Sequence, residues 1–289
     1  MRHLCTLSDN NYLLKGLVLY ESLIKNAGDF TLHYLCLDDL AYQKLKSLNL
    51  ENLVIYNLND YLTTDNELLT TKNELKYDEF CWSLASYFTM KLLNNLDSVL
   101  YCDSDLYFYN DLDTIYDEIG DKSIGLIRHR HTFYGSSVGD FNVGIVYFKN
   151  DSIGNESINY WWSLNKTKNH EYYRSHGTCG DQKYLELFLP KYEKELCVID
   201  EKLGHGAPFN FHLYDYSNFT DENKEFIYNG KPQKLIFVHF MKFKPNFDKN
   251  NYEATNEPNN QEFMKYQQIK SLYDDYFNET IKTYKKYYI

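Results

Sequence analysis

Apolar positions in the first hundred residues alternate between two periods. Short apolar runs at His3–Leu7, Thr31–Leu37, Leu53–Asn57 and Ser98–Cys102 predict strands. Between them, Tyr12–Asn26, Leu40–Leu48 and Phe80–Asn94 carry apolar residues at helical spacing, as in Leu13, Leu17, Tyr20 and Ile24. Gly28 reads as the stop of the first helix. Alternation of this kind predicts an α/β fold with a mostly parallel central sheet flanked by helices. Beyond residue 105 the pattern becomes mixed. Strands are predicted at Ile124–Arg128, Val143–Phe148, Leu196–Ile199 and Leu235–His239, with helices around Ile158–Lys166 and from near Gly180. From Asn259 onward, Phe263, Tyr266, Ile269, Tyr273, Tyr276 and Phe277 predict one long C-terminal helix. Asn246–Asn260 is the most loop-rich stretch, and the chain shows no internal repeat. The expected organisation is one domain over residues 1–258 and a helical extension over 259–289.

A chain of 289 residues can bury one large α/β core, and 43% hydrophobic with 25% charged residues is an ordinary globular balance. The net charge of −11 argues against nonspecific binding of nucleic acid, and any phosphate must be held locally against that field. The N-terminus already reads as a strand, without the apolar segment of a leader, and no run approaches the length that spans a bilayer. A cytoplasmic protein is expected. Six cysteines (5, 36, 81, 102, 179, 197) lack zinc-type spacing, and several lie in apolar runs, so free thiols are expected. The 29 tyrosines and the N-x-S/T sequons, such as Asn155-Glu156-Ser157, read as compositional bias in an Asn- and Tyr-rich chain.

The most informative stretch is Val99-Leu100-Tyr101-Cys102-Asp103-Ser104-Asp105-Leu106-Tyr107-Phe108, where a buried strand runs into two carboxylates. The carboxyl end of a strand is where open α/β sheets place their ligands. Two adjacent buried acids repel unless a cation lies between them. The plain alternative is a pair of solvated turn acids. A calcium loop from Asp103 would need Gly and Glu where Phe108 and Thr114 stand. The haloacid-phosphatase D-x-D-x-T/V pattern fails at Tyr107. His239, at the end of the Leu235–Val238 run, is either a third ligand or a structural histidine, and Lys242 and Lys244 behind it could meet phosphate. Asn142 before a buried strand, with Gly144 two places on, is either an ordinary strand start or a point of close ligand approach. Asp181 and Gln182 open a helix, as a first-turn acid or as partners of sugar hydroxyls. Ser8-Asp9-Asn10-Asn11-Tyr12 either caps a helix or seats a nucleotide base.

In this order, the motifs resemble those of GT-A-fold nucleotide-sugar glycosyltransferases, especially the family 8 type and related nucleotide-diphospho-sugar transferases. The resemblance runs from about Leu4 to Pro245. It implies a Rossmann-like GT-A fold with a C-terminal helix, and a metal-dependent transfer from a UDP-sugar with retention at the anomeric carbon. It implies Mn2+ or Mg2+ on Asp103, Asp105 and His239, with Mn2+ better suited to a histidine ligand. Asp9, Asn11 and Tyr12 match the positions around the base, and Ser104, Lys242 and Lys244 are assigned to the rest of the nucleotide. Asn142 matches a donor-sugar contact, Asp181 and Gln182 match the pair beside the reacting carbon, and Gly206-Ala207-Pro208-Phe209-Asn210 matches the acceptor side. The family ending His-x-x-Gly-x-x-Lys-Pro is here His239-x-x-Lys242-x-Lys244-Pro245, one residue shorter. An Arg-Leu pair on the helix before the acids has Ser83-Leu84 as its nearest match.

Two other classes compete. A sugar-phosphate nucleotidyltransferase would carry a Gly-rich basic loop after the first strand, where this chain has the acidic Ser8-Asp9-Asn10-Asn11. A non-catalytic nucleotide- or glycan-binding protein on the same scaffold would not need the acid pair, His239 and Asp181. The acceptor, whether glycan, lipid-linked glycan, protein or small molecule, is not written in the chain. The basic and aromatic end Lys282–Ile289 would suit peripheral contact with anionic lipid, or simple packing on the core, which Asp274, Asp275 and Glu279 favour.

Overall fold

Strand β1 (Arg2–Ser8) pairs in parallel with β2 (Phe30–Cys36) on one side and with β4 (Ser98–Cys102) on the other, and β3 (Leu53–Asn57) continues the parallel run beyond β2. The sheet then turns mixed. β7 (Phe141–Lys149) is antiparallel to β4 and to β6 (Ile124–Arg128), and β8 (Leu196–Val198) is parallel to β6, giving the order β3-β2-β1-β4-β7-β6-β8. This is a computed structural model, and it describes residues 1–131, 138–167, 180–199, 203–255 and 262–289. Cys179, Asn259 and Asn260 lie outside the described residues. The other five cysteines are free, as expected from their spacing.

The chain divides into two units. One comprises Met1–Asn11, Asp29–Asp103 and Ile119–Ile199, and the other Tyr12–Gly28, Ser104–Glu118 and Asp200–Ile289. The seven-stranded sheet belongs to the first. Its directions decide where chemistry can gather. Because β1, β4 and β6 point one way and β7 the other, the residues after Ser8, Cys102 and Arg128 share one end of the sheet with the residues that start β7. The Asp103 amide donates to Gly144 O at 3.0 Å, continuing the β4–β7 ladder through the first acid.

Helix α2 (Asp39–Leu48) is N-capped by Asp38, and α3 (Leu58–Thr64) and α4 (Asn66–Glu74) are capped by Asn57 and Asp65. Helix α5 (Tyr77–Leu93) buries Phe80, Leu84, Tyr87 and Phe88, and its first turn is closed by the Lys76 amide donating to Glu79 Oε2 at 2.7 Å. Helix α7 (Ser152–Asn165) buries Trp161 and Trp162 and starts six residues earlier than its apolar pattern predicts, because Asp151 caps it by accepting from the Gly154 amide. A Cβ on Gly154 would stand 1.8 Å from Lys149 O, so the helix can dock on the end of β7 only with glycine there. Gly154→Ala is therefore expected to lower stability by about 1–3 kcal/mol, read as a fall in the urea midpoint at unchanged slope. The helix expected from Gly180 is broken into a single turn at Gly180–Lys183, a 3-10 turn at Tyr184–Leu187 and a short helix at Phe188–Tyr192.

In the second unit, β11 (Lys231–His239) pairs with β10 (Glu225–Tyr228) and β5 (Leu106–Phe108) antiparallel and with β9 (Leu203–Gly206) parallel. Helix α1 (Leu13–Asn26) is bonded to β5 at both ends of Phe108: the amide donates to Ser22 Oγ, and Asn26 Nδ2 donates to the carbonyl. Gly28 has φ +67°, the left-handed geometry expected just past a helix. Helix α6 spans Asp113–Ile119. The loop expected over 246–260 instead begins as a hairpin, β12 (Lys244–Asn246) with β13 (Asn251–Glu253).

The regular C-terminal helix begins at Gln267 and ends at Tyr288, with Phe263 in a preceding 3-10 turn. Its apolar face is spent inside this unit: Tyr276 stacks on Phe240 at 3.8 Å between ring centroids, and Phe243 meets it edge-on. Lys286 pairs with Glu21 of α1 at 2.8 Å. Many of the tyrosines are thus core residues, with Tyr273 and Tyr276 almost fully buried. Among the described residues, no helix is long and apolar enough to cross a membrane.

Candidate metal and sugar-nucleotide site

The division between the units falls at the Asp103–Ser104 peptide bond, so the two acids are separated by a single residue of continuous chain. Asp103 leaves β4 half-buried and accepts a hydrogen bond from the Tyr101 hydroxyl at 2.9 Å. Asp105 is buried, and the antiparallel register Leu106↔His239 explains its partner. The start of β5 lies opposite the end of β11. The Phe240 amide donates to Asp105 O, and His239 Nε2 lies 3.0 Å from Asp105 Oδ1. Lys15, from the first turn of α1, places Nζ 3.5 Å from Asp105 Oδ2. Burial pushes the Asp105 carboxyl up, but the His239 imidazole and the Lys15 ammonium outweigh it and hold the group well below the usual carboxylate range.

Asp103, Asp105 and His239 each offer one ligand atom, and these atoms all lie within 4.8 Å of one another. Two carboxylates and an imidazole suit a borderline divalent cation such as Mn2+, and Asp105 is already held in the deprotonated form that ligation requires. The donor set therefore fits the implied metal. Lys15 was not singled out from the sequence; in an amphipathic helix it reads as a routine surface lysine, and only the fold turns it toward the acid. Lys242 follows His239 in a turn at φ +60°, and Lys244 is exposed in β12.

At the same end of the first unit's sheet stand Asp181, Gln182, Asn142 and His129. Asp181 is buried in the Gly180–Lys183 turn, whose Asp181 carbonyl accepts from Trp161 Nε1 at 3.1 Å. Burial, followed by the facing charge of Asp103, pushes its carboxyl up to about 7. Asn142 Oδ1 accepts from the Gly144 amide at 2.8 Å, and Asn142 Nδ2 lies 3.1 Å from His129 Nε2 and 3.5 Å from Gln182 Oε1. His129 is 4% exposed, and sequence reasoning missed it because nothing local distinguishes a histidine one residue past a strand.

After β1, Asp9 does not cap α1, whose N-cap is Tyr12 with no side-chain bond. Its carboxylate instead accepts the amide and side chain of Asn11 at 3.0 and 3.1 Å and the Tyr77 hydroxyl at 3.4 Å. Tyr77 also lines an apolar cavity of about 200 Å³ with Leu37, Leu58, Leu75, Phe80 and Leu84. In the second unit, Tyr12 is 47% exposed, and Lys15 Nζ lies 4.4 Å from its ring centroid. The Gly206–Asn210 segment is buried throughout: Asn210 Oδ1 holds the Ala207 amide, Asn210 Nδ2 meets His205, and the Phe209 ring meets His239 edge-on at 6.5 Å.

No protein-family model matches the chain. It is similar to two Bacillus subtilis (strain 168) proteins. One is "Uncharacterized protein YfnF", 27% identical over 259 residues, covering 83% of this chain and 81% of the relative. The other is "Uncharacterized protein YfnD", 28% identical over 249 residues, covering 83% and 78%. Among solved structures it superposes on mouse xyloside xylosyltransferase 1 in its apo form, with a TM-score of 0.56 at 14% identity, covering 82% of this chain and 97% of that one. It also superposes on the galactosyltransferase LgtC in complex with donor and acceptor sugar analogs, with a TM-score of 0.52 at 17% identity, covering 83% and 87%. The bifunctional glycosyltransferase WbbM gives a TM-score of 0.51 at 14% identity, covering 93% of this chain and 52% of that one. With its mixed, mostly parallel sheet, surrounding helices and terminal helix, the chain has the GT-A fold of these glycosyltransferases.

Proposed function

We propose that the protein is a metal-dependent glycosyltransferase that moves a sugar from a nucleotide-diphosphate sugar, a UDP-sugar, to a hydroxyl of a glycan, lipid-linked glycan or other acceptor. The observation that carries this reading is the Asp103–Asp105–His239 group on a GT-A fold. In the reaction the bond from the anomeric carbon to the diphosphate oxygen breaks, a bond to the acceptor oxygen forms, and the acceptor proton is released. Mn2+, or Mg2+, held by Asp103, Asp105 and His239 would neutralise charge on the departing diphosphate. Lys15 stands where it can add a second positive charge, and Ser104, Lys242 and Lys244 are the further diphosphate contacts of this reading. Asp9 and Asn11 would hold the base and Tyr12 would stack on it, with the Tyr77-lined cavity beside Asp9 offering an apolar wall for a planar ring. Asn142 would contact the donor sugar, Asp181 and Gln182 would flank the reacting carbon, and transfer with retention is the expected outcome. The Gly206–Asn210 turn, through Phe209 beside His239, would shape the acceptor side.

Thermal unfolding with UDP and UDP-sugars, with and without Mn2+, tests the reading. A nucleotide at a hundred times its dissociation constant stabilises by about 2.7 kcal/mol, and the shift is expected only when metal is present. Tyr12→Ala is expected to weaken UDP binding about tenfold whatever the sugar, since stacking on one aromatic ring contributes about 1–3 kcal/mol per base. No shift with any nucleotide, with or without metal, would overturn the assignment.

A further inference from the structure

We propose that His129 is a positioning residue: by accepting from Asn142 Nδ2 it holds in place the amide whose polarity the Gly144 N–H fixes, and Asn142 in turn engages Gln182 Oε1, so that Gln182 presents its amide N–H2, and not its carbonyl oxygen, to the donor sugar. The proposal rests on the glycosyl-transfer reading for the word sugar, and on geometry alone for the polarity.

One group in this cluster has a fixed direction. A backbone amide can only donate, so the Asn142 atom 2.8 Å from the Gly144 nitrogen is Oδ1. The other end of that side chain is therefore Nδ2, which can only donate. It lies 3.1 Å from His129 Nε2, so this ring nitrogen must carry the lone pair and the imidazole proton must sit on Nδ1. Nδ2 has a second hydrogen and a second neighbour, the Gln182 amide at 3.5 Å. The Gln182 atom facing a donor is the acceptor Oε1, and the planar amide then turns its N–H2 away from Asn142. Gln182 is only partly buried, so that N–H2 is accessible to a ligand, whereas Asn142 and His129 are 5% and 4% exposed. His129 reaches this place because β6 ends beside the start of β7, in the register Arg128↔Phe141 and Ile127↔Asn142. The tilted ring of His131, 5.1 Å away between centroids, packs against it.

This polarity has a chemical consequence. A glutamine whose carbonyl is engaged offers the sugar a hydrogen-bond donor, suited to the oxygen of a sugar hydroxyl. It is poorly placed to offer that carbonyl as a nucleophile to the anomeric carbon. With an acceptor missing at 129, Asn142 Nδ2 would lose the nearer of its two partners, and its contact with Gln182 would no longer be held from the other side.

The first test needs no substrate. Long-range 15N–1H correlation on protein labelled at histidine nitrogens, with the His129 signals assigned by their loss in His129→Gln, is expected to show neutral His129 with Nε2 unprotonated. A proton on Nε2, or an imidazolium at neutral pH, would overturn the proposal. The second test uses release of free sugar and UDP from UDP-glucose and UDP-galactose by water, with Mn2+. His129→Gln supplies an acceptor oxygen close to the position of Nε2 and is expected to stay within about threefold of wild type. His129→Phe is expected to lose about 10–100-fold in kcat with a much smaller change in KM. Gln182→Glu replaces the donor by a carboxylate oxygen and is expected to fall by at least about tenfold. Equal or faster turnover by Gln182→Glu, or unchanged kcat in His129→Phe, would overturn the proposal. Failure of the wild-type protein to turn over or bind any nucleotide sugar would count against the glycosyl-transfer reading instead, and the tautomer measurement would still decide the polarity.

Discussion

Asp105→Asn is expected to weaken Mn2+ binding by about 100-fold or more, and with it metal-dependent binding of UDP. Groups that merely orient a metal ligand commonly account for 10–100-fold in affinity, and a ligand that supplies one of two charges accounts for more. The substitution is nearly isosteric, so the measured loss reports charge and ligation more than packing. It also removes the partner of His239 and Lys15. Burial opposes ionisation of Asp105, and His239 and Lys15 overcome it, so the folded protein holds this carboxylate ionised more firmly than the unfolded chain does. Its contribution is present above the unfolded carboxylate range and is lost as pH falls toward the depressed folded value. Asp105→Asn should therefore destabilise the metal-free protein at neutral pH and lose part of that penalty in acid. Calorimetric titration of Mn2+ and of UDP with Mn2+ reads the first effect, and urea unfolding reads the second. His239→Gln, which keeps a polar group beside Asp105, is the companion variant if Asp105→Asn folds poorly. Wild-type Mn2+ affinity in both variants would remove these residues from the metal site.

The strands of the main sheet could be read from the chain within a residue or two because each is a short, mostly apolar run bounded by polar residues, and the inner ones, such as β4 and β7, are buried on both faces, while β3 at the sheet edge is only partly buried. The acid pair and His239 were legible for the same reason, since polar residues at the ends of such runs stand out. What stayed hidden is short or non-local. β5 has three residues, too few for any periodicity, yet its pairing with β11 is what brings Asp105 to His239. Helices α3 and α4 lie in a Thr-, Asn- and Asp-rich stretch with a weak apolar stripe, and only the caps Asn57 and Asp65 announce them. Lys15 and His129 carry no local signal at all. The first is a helix lysine like many others, and the second is placed by the crossing from β6 to β7, a fact of topology and not of sequence spacing.

Asp181 gives the sharpest expectation for pH. Its carboxyl is pushed up to about 7 by burial and then by the charge of Asp103, against an ordinary value of 3.8. Between about pH 4 and pH 7, the folded protein keeps a proton that the unfolded chain has released, so stability falls as pH rises through that window. A displacement of about three units corresponds to roughly 4 kcal/mol once both states are ionised. Asp181→Asn cannot ionise. Its stability relative to wild type should therefore rise from near zero in acid to several kcal/mol above neutrality, measured by urea unfolding of both proteins across the range. Taking the difference cancels the titration of groups common to both. Addition of Mn2+ should shrink the wild-type slope, because positive charge beside Asp103 offsets the repulsion that holds the Asp181 proton in place. A difference between the two proteins that does not change with pH would mean that Asp181 is ionised in the folded state throughout. The carboxylate beside the acid pair would then be a permanent charge and not a group that exchanges its proton near neutrality.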